Sequence, residues 1–260
     1  MMLADAHVRA LPWQDAGMIP QPSEALPGQP IADLHAEAIF GAAAPADAFA
    51  AVLMEARLVL ADIVSPLHAE LWGSDILAAL GSGAAALVPA AEDSGTPDAL
   101  ALLRALGAVG SPMLRVAAAA AAGRLAERGV GDPGWAASAG APAVAECWYY
   151  GDERGAQEAV TMSFEYAREC HVVSVLIDHR RGGRIKDVWV GDAENVLARA
   201  RAITRQDPKL VFEMISAANA RARLERAIAA GECPQQPEEA ANVASARAIL
   251  RARVALLPRR

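Results

Sequence analysis

Apolar residues recur along this chain with two different periods. In "ADAFAAVLMEARLVLADI" they return every three or four positions, at Phe49, Val52, Leu53, Leu58, Leu60 and Ile63, which predicts an amphipathic helix. Two further helix starts follow. Thr96-Pro97 and Ser111-Pro112 each set a capping hydroxyl before a first-turn proline, whose missing N–H and fixed φ suit that place. The second helix runs through "PMLRVAAAAAAGRLAERG" to Gly129, and the two are expected to pack as an antiparallel pair. "GVGDPGWAASAGAP" then breaks the pattern with glycine and proline.

Past this connector the period falls to two. "AECWYYG", "EAVTMSFEY", "HVVSVLID" and "GRIKDVWV" read as four strands joined by short turns. A two-residue turn at Gly182-Gly183 would place Ile177 opposite Val188, Val175 opposite Val190 and Asp178 opposite Asp187. The turn near Arg168-Glu169 would align Phe164 with Val173 and Met162 with Val175. One face then collects Val160, Met162, Phe164, Val173, Val175, Ile177, Val188 and Val190, with Trp148 and Tyr150 joining it. The opposite face carries Thr161, Ser163, Glu165, Ser174, Asp178 and Asp187, with Leu176 and Trp189 among them, and is expected to be wet or functional.

Three helices are expected after the strands. Asp192 caps the first, Asp207-Pro208 begins the second, which ends by Gly231, and Pro237-Glu238-Glu239 opens the third. Strands followed by helices without βαβ alternation make the fold class α+β: a helical N-terminal region, then a four-stranded antiparallel β-meander packed against C-terminal helices. The organisation expected is an extended or disordered proline-rich arm over 1–30, a helical region over 31–130, the connector over 131–142 and the sheet with its helices over 143–260.

Composition narrows the chemistry. Of 260 residues, 63 are alanine, so the 54% hydrophobic fraction overstates the bulk available to a core. Lysine occurs only at Lys186 and Lys209, and an arginine bias of this size argues against reading each Arg as a chosen bidentate donor. The net charge of −7 disfavours a nucleic-acid coat, although from Glu194 onward basic residues outnumber acidic ones. Three widely spaced cysteines form neither a disulfide framework nor a zinc signature, so a reduced, cytoplasmic setting is expected. The start lacks a basic apolar leader, and "ILAALGSGAAALVPAA" is shorter than a bilayer span, so no membrane association is expected.

Several stretches invite a chemical reading. Asp178 and Asp187, paired across a ladder, would repel each other unless a cation lay between them. With Glu165 as a third oxygen donor they would suit Mg²⁺ or Mn²⁺. The nearby Arg180, Arg181, Arg184 and Lys186 can neutralise the acids without a metal, and this reading is preferred, with no cofactor. "GSGAAA" lacks the preceding strand of a dinucleotide fingerprint. "LHAE" occurs twice without a third copy, and Cys170-His171 points its two side chains to opposite faces, which suits structural roles. Arg247, Arg251 and Arg253 would give the last helix a basic strip able to meet an acidic surface or phosphate.

The reading that follows is a non-catalytic intracellular binding or regulatory protein. It would act through the polar sheet face (Glu165, Asp178, Asp187, Trp189) or the basic C-terminal helices (Arg247, Arg251). The expected partner is another protein, ahead of nucleic acid. The alternative is a metal-dependent hydrolase built on Asp178, Asp187 and Glu165.

Overall fold

The computed structural model describes residues 45–60, 65–167 and 169–259, so the arm predicted over 1–30 and the Ile63 position lie outside the described residues. Among the described residues five α-helices come first: α1 Pro45–Leu60, α2 Pro66–Leu80, α3 Leu87–Ser94, α4 Pro97–Val109 and α5 Pro112–Glu127. Four strands follow, β1 Ala143–Asp152, β2 Gln157–Tyr166, β3 Glu169–Asp178 and β4 Arg184–Asp192. Then come α6 Ala193–Gln206, a fifth strand β5 Leu210–Ile215, α7 Ala217–Ala230 and α8 Pro237–Leu256. The architecture is α+β, with one antiparallel sheet ordered β4-β3-β2-β1-β5.

The caps form where the sequence places them. Thr96 accepts from Ala99 N–H, Ser111 from Leu114 N–H and Asp192 from Asn195 N–H, which satisfies one otherwise orphaned donor in each helix. α4 and α5 pack together as expected. Helices α1 to α5 share a core that includes Val52, Leu60, Trp72, Leu100, Leu103 and Leu125, with Trp135 of the connector buried among them. Leu58, on the periodic face of α1, is instead 69% exposed. The helical stretch Pro66–Ser94 is apolar and long enough to cross a bilayer by length and composition; here α2 packs against α4 and α8.

The second core lies between the sheet and α7 and α8. Val160, Met162, Phe164, Val173, Val175, Ile177 and Val188 meet Leu224, Val243, Ile249 and Leu250, with Val190 at the margin. These side chains occupy the predicted face, but their partners are offset by two residues. Val188 pairs with Val175, Val190 with Val173, and Phe164 with His171, while past a bulge Ile177 meets Ile185, three residues from its predicted partner. A shift of two preserves which way each side chain points, so the core survives the wrong register. For β3 and β4 the physical cause is the hairpin loop. His179–Arg181 form a 3-10 turn, and Gly182 and Gly183, both at positive φ (79° and 74°), complete a connection longer than two residues. Asp178 consequently pairs with Arg184, and Asp187 with Leu176 across a bulge; the two acids are not opposite each other.

Three further expectations are corrected. Trp148 pairs with Thr161 and Tyr150 with Ala159, so both belong to the second face and not to the main core. A register irregularity between Val144 and Cys147 separates the start of β1 from this part of the strand. The helix predicted from Asp207-Pro208 does not start there. Asp207 accepts from the N–H groups of Lys209 and Leu210 in a turn, Leu210–Ile215 extends as β5, and the helix begins only after the Ser216 cap.

The predicted wet face is covered. Thr161, Ser163 and Ser174 are buried, and α6 lays Ala200 against Tyr150, Ala159, Leu176 and Leu210. α6 is polar on its outer side and contributes only a short apolar stripe, which is what a helix closing one edge of a small second core requires.

Candidate functional site

The hairpin end that carries the sequence's acids is an attachment point. The segment after α7 crosses the edge of β4: Ile185 N–H donates to Gly231 O at 2.9 Å, and Cys233 N–H to Ile185 O at 2.7 Å. Asp178, 3% exposed, accepts from Arg180 N–H at 2.9 Å and from the amides of Gln157 and Gln235 at 3.4 Å each. Lys186 approaches Glu239 at 3.3 Å, and Glu239 in turn accepts from the N–H groups of Gln235 and Gln236, capping α8. Asp187 accepts from Asn242 of α8 at 3.3 Å and from Val188 N–H at 2.8 Å. Burial pushes its carboxyl up to about 7, against those two hydrogen bonds and with Glu239 adding repulsion.

Glu158 completes this end of the sheet. It is buried and meets Arg223 of α7 at 2.5 Å and His179 at 3.4 Å. Every acid here therefore holds a loop, a helix start or a helix face to the sheet. Glu165 is elsewhere: exposed, paired with Ala143 and Cys170, at the far end of β2 from Gln157, the partner of Asp178. At the usual strand rise the separation is about 25 Å. The proposed trio of Glu165, Asp178 and Asp187 does not converge, and among the described residues no group of three His, Cys, Asp or Glu side chains could hold a metal ion.

The second face offers stacking and little exposed polarity. Trp148, Thr161, Ser174 and Trp189 form one row across four strands, with the two hydroxyls 2.7 Å apart. Trp148 stacks on Phe212 at 4.8 Å between ring centres, and the Arg201 guanidinium of α6 lies 5.0 Å from its ring. Trp189, singled out in the sequence, is partly buried beside this small core. The indole N–H groups of Trp148 and Trp189 are enclosed without a hydrogen-bond partner among the described residues, so apolar contact and stacking hold this face together.

A buried cluster that the sequence did not announce joins the helical region to the sheet. Arg253 of α8, Glu70 of α2 and His171 of β3 are each 0% exposed. Arg253 Nη2 pairs with Glu70, and its Nε donates to His171 Nε2 at 3.1 Å. The other oxygen of Glu70 accepts from Tyr166 OH and Gly140 N–H, both at 2.5 Å. His171 stacks between Phe164 and Tyr166, with centre distances of 5.6 and 5.7 Å. Burial and then the adjacent guanidinium push its imidazole down to about 3, so it is neutral and accepts from Arg253. The basic strip expected on α8 is thus broken. Arg253 points inward, Arg247 is bound by Glu232 at 2.7 Å, and Arg251 alone of the three is both exposed and without an ion pair among the described residues.

Basic surface gathers instead along α7 and the C-terminal tail. An open groove of about 680 Å³ is lined by Arg221, Arg223, Arg226 and Arg259, with Asn219 and Glu225 among the other lining residues. Arg221 is held by Glu225 at 2.8 Å and by the Leu257 and Ala255 carbonyls, which fixes the tail against α7. Arg223 donates to Asn219 at 2.7 Å while bridging to Glu158 and lying 5.0 Å from the Tyr149 ring. Arg226 and Arg259 are exposed and have no ion pair among the described residues. The C-terminal charge bias was visible in the sequence. Which arginines share one surface was not, because that depends on α7 lying beside the returning tail.

No protein-family model matches this chain, and no curated protein or solved structure matches it.

Proposed function

We infer that the chain is a non-catalytic binding protein that holds an acidic segment of another protein in the groove between α7 and the C-terminal tail. The observation that carries this reading is the pair of exposed cations, Arg226 and Arg259, on a groove whose inner arginines are already held in place. Fixed guanidinium groups beside free ones favour anion recognition, since less side-chain freedom is lost when the anion arrives. An open groove suits an extended segment, whereas small ligands favour enclosed pockets. The overall charge of −7 weighs against a polyanion as long as nucleic acid.

The titratable groups of the interior support the same view. His171 is enclosed and neutral, and burial pushes the Cys147 thiol up to about 11, far from a reactive thiolate. Asp178, Asp187, Glu158 and Glu239 are each engaged by neighbours that fix loops and helices.

Fluorescence anisotropy with a labelled hexaglutamate peptide tests the reading, beside a single-stranded oligonucleotide of equal charge. Binding of the peptide that weakens with salt and is lost in Arg226→Glu/Arg259→Glu supports it. Equal binding by the double variant, or preference for the oligonucleotide, overturns it.

A further inference from the structure

We propose that the free edge of β5 is a self-association surface, pairing antiparallel with β5 of a second copy of this chain about a two-fold axis at Val211. β5 ends the sheet, and its outer side has no strand partner among the described residues. The ladder fixes which backbone groups face outward. Glu153 N–H donates to Lys209 O at 3.2 Å, one rung beyond the Asp152–Leu210 pair. Hydrogen-bonded pairs alternate along an antiparallel ladder, so Lys209, Val211 and Glu213 turn their backbone groups to β1, while Leu210, Phe212 and Met214 turn theirs to the free edge. The Leu210 N–H is already bonded to Asp207 O, so the outward donors are those of Phe212 and Met214.

The sequence around this edge is self-complementary. In "PKLVFEM", pairing about Val211 sets Lys209 opposite Glu213 and Leu210 opposite Phe212, with Val211 meeting its own copy. Opposed residues share a face, as a continuous sheet requires: Val211 and Glu213 pair with Gly151 and Tyr149, Leu210 and Phe212 with Asp152 and Tyr150. Each Phe212 N–H then reaches the Leu210 carbonyl of the other copy, and two Lys209–Glu213 pairs flank the axis. Other registers fit worse. Centring on Glu213 sets two carboxylates directly opposite, and centring on Phe212 brings them onto adjacent diagonal positions.

Exposure agrees with an edge that is covered in use. Val211 is 39% and Met214 58% exposed, and the charges beside them, Lys209 and Glu213, oppose each other across the proposed axis rather than repelling a second copy. Six-residue pairing buries less than the roughly 1,000 Å² of a lasting complex, so the dimer is expected to depend on concentration.

Disulfide trapping tests the register directly. In a Cys170→Ser background, Val211→Cys should form an oxidised dimer, since non-hydrogen-bonded partners sit about 4.5 Å apart at Cα, within disulfide reach. Glu213→Cys should not, because its copies would lie about 14 Å apart along the strands. Light scattering across concentration gives a second readout. Lys209→Glu or Glu213→Lys should each weaken association about fivefold, and the double reversal should restore it. A Val211→Cys protein that stays monomeric, equal trapping at position 213, or a double reversal no better than the singles would overturn the proposal.

Discussion

Replacing Arg253 with Met probes the joint between the helical region and the sheet. The guanidinium is fully buried and reaches Glu70, His171 and the faces of Phe164 and Tyr166 at 5.3 and 5.9 Å. Met fills similar volume, so the loss is mainly electrostatic. Glu70 would keep only Gly140 N–H and Tyr166 OH for a charge with no access to water. Breaking a buried pair from one side costs about 3–5 kcal/mol, a large share of the roughly 5–15 kcal/mol that holds a typical domain folded. Adding Glu70→Gln removes the stranded charge and keeps an acceptor for both remaining donors. The double variant should return to within about 2 kcal/mol of the parent protein, because apolar or neutral replacement of both partners is often tolerated. Urea denaturation followed by tryptophan fluorescence measures all four corners of the cycle. An Arg253→Met loss below about 1 kcal/mol, or single effects that simply add, would refute a tightly coupled joint.

Asp187 should leave a mark on the pH dependence of stability. Its folded carboxyl sits near 7 against 3.8, so between those values the folded state holds more protons and stability falls as pH rises. Asp187→Asn should flatten that fall, with the gap to wild type growing from pH 4 to pH 8 toward a ceiling of about 4 kcal/mol; parallel profiles in denaturant titrations would contradict it. Gly140→Ala should cost about 1–3 kcal/mol, because φ there is +78° and an added Cβ would lie 3.2 Å from Ala108 Cα. Gly131→Ala, into open space, should change the midpoint little. Equal melting temperatures for the two would remove the close approach at Gly140 as a constraint.

Local patterns carried most of the fold into the sequence. Thr96-Pro97, Ser111-Pro112 and Asp192 announce helix starts because capping acts within one turn. In β2, Val160, Met162 and Phe164 alternate with Thr161 and Ser163 and so mark the core face whatever the register. The register itself was hidden, since the conformation of His179–Gly183 depends on Asp178 capping its turn and on Gln235 bonding the same carboxylate from 57 residues away. Asp207-Pro208 resembles a helix start, and only the pairing of β5 with β1 decides for strand. The inward turn of Arg253 and the shared surface of Arg226 and Arg259 likewise depend on packing between distant elements, which no short window of residues records.

The groove bears the functional reading, and its two free arginines can be changed without touching the ties that hold α7 and the tail. The decisive measurement is the anisotropy titration of labelled hexaglutamate against the parent chain and Arg226→Glu/Arg259→Glu at low and physiological salt. Salt-sensitive binding by the parent is expected, with at least a tenfold loss in the variant, a reduction of about 1.4 kcal/mol or more, and an unchanged melting temperature. Peptide binding that is absent in the parent, or that survives the double reversal intact, would contradict it.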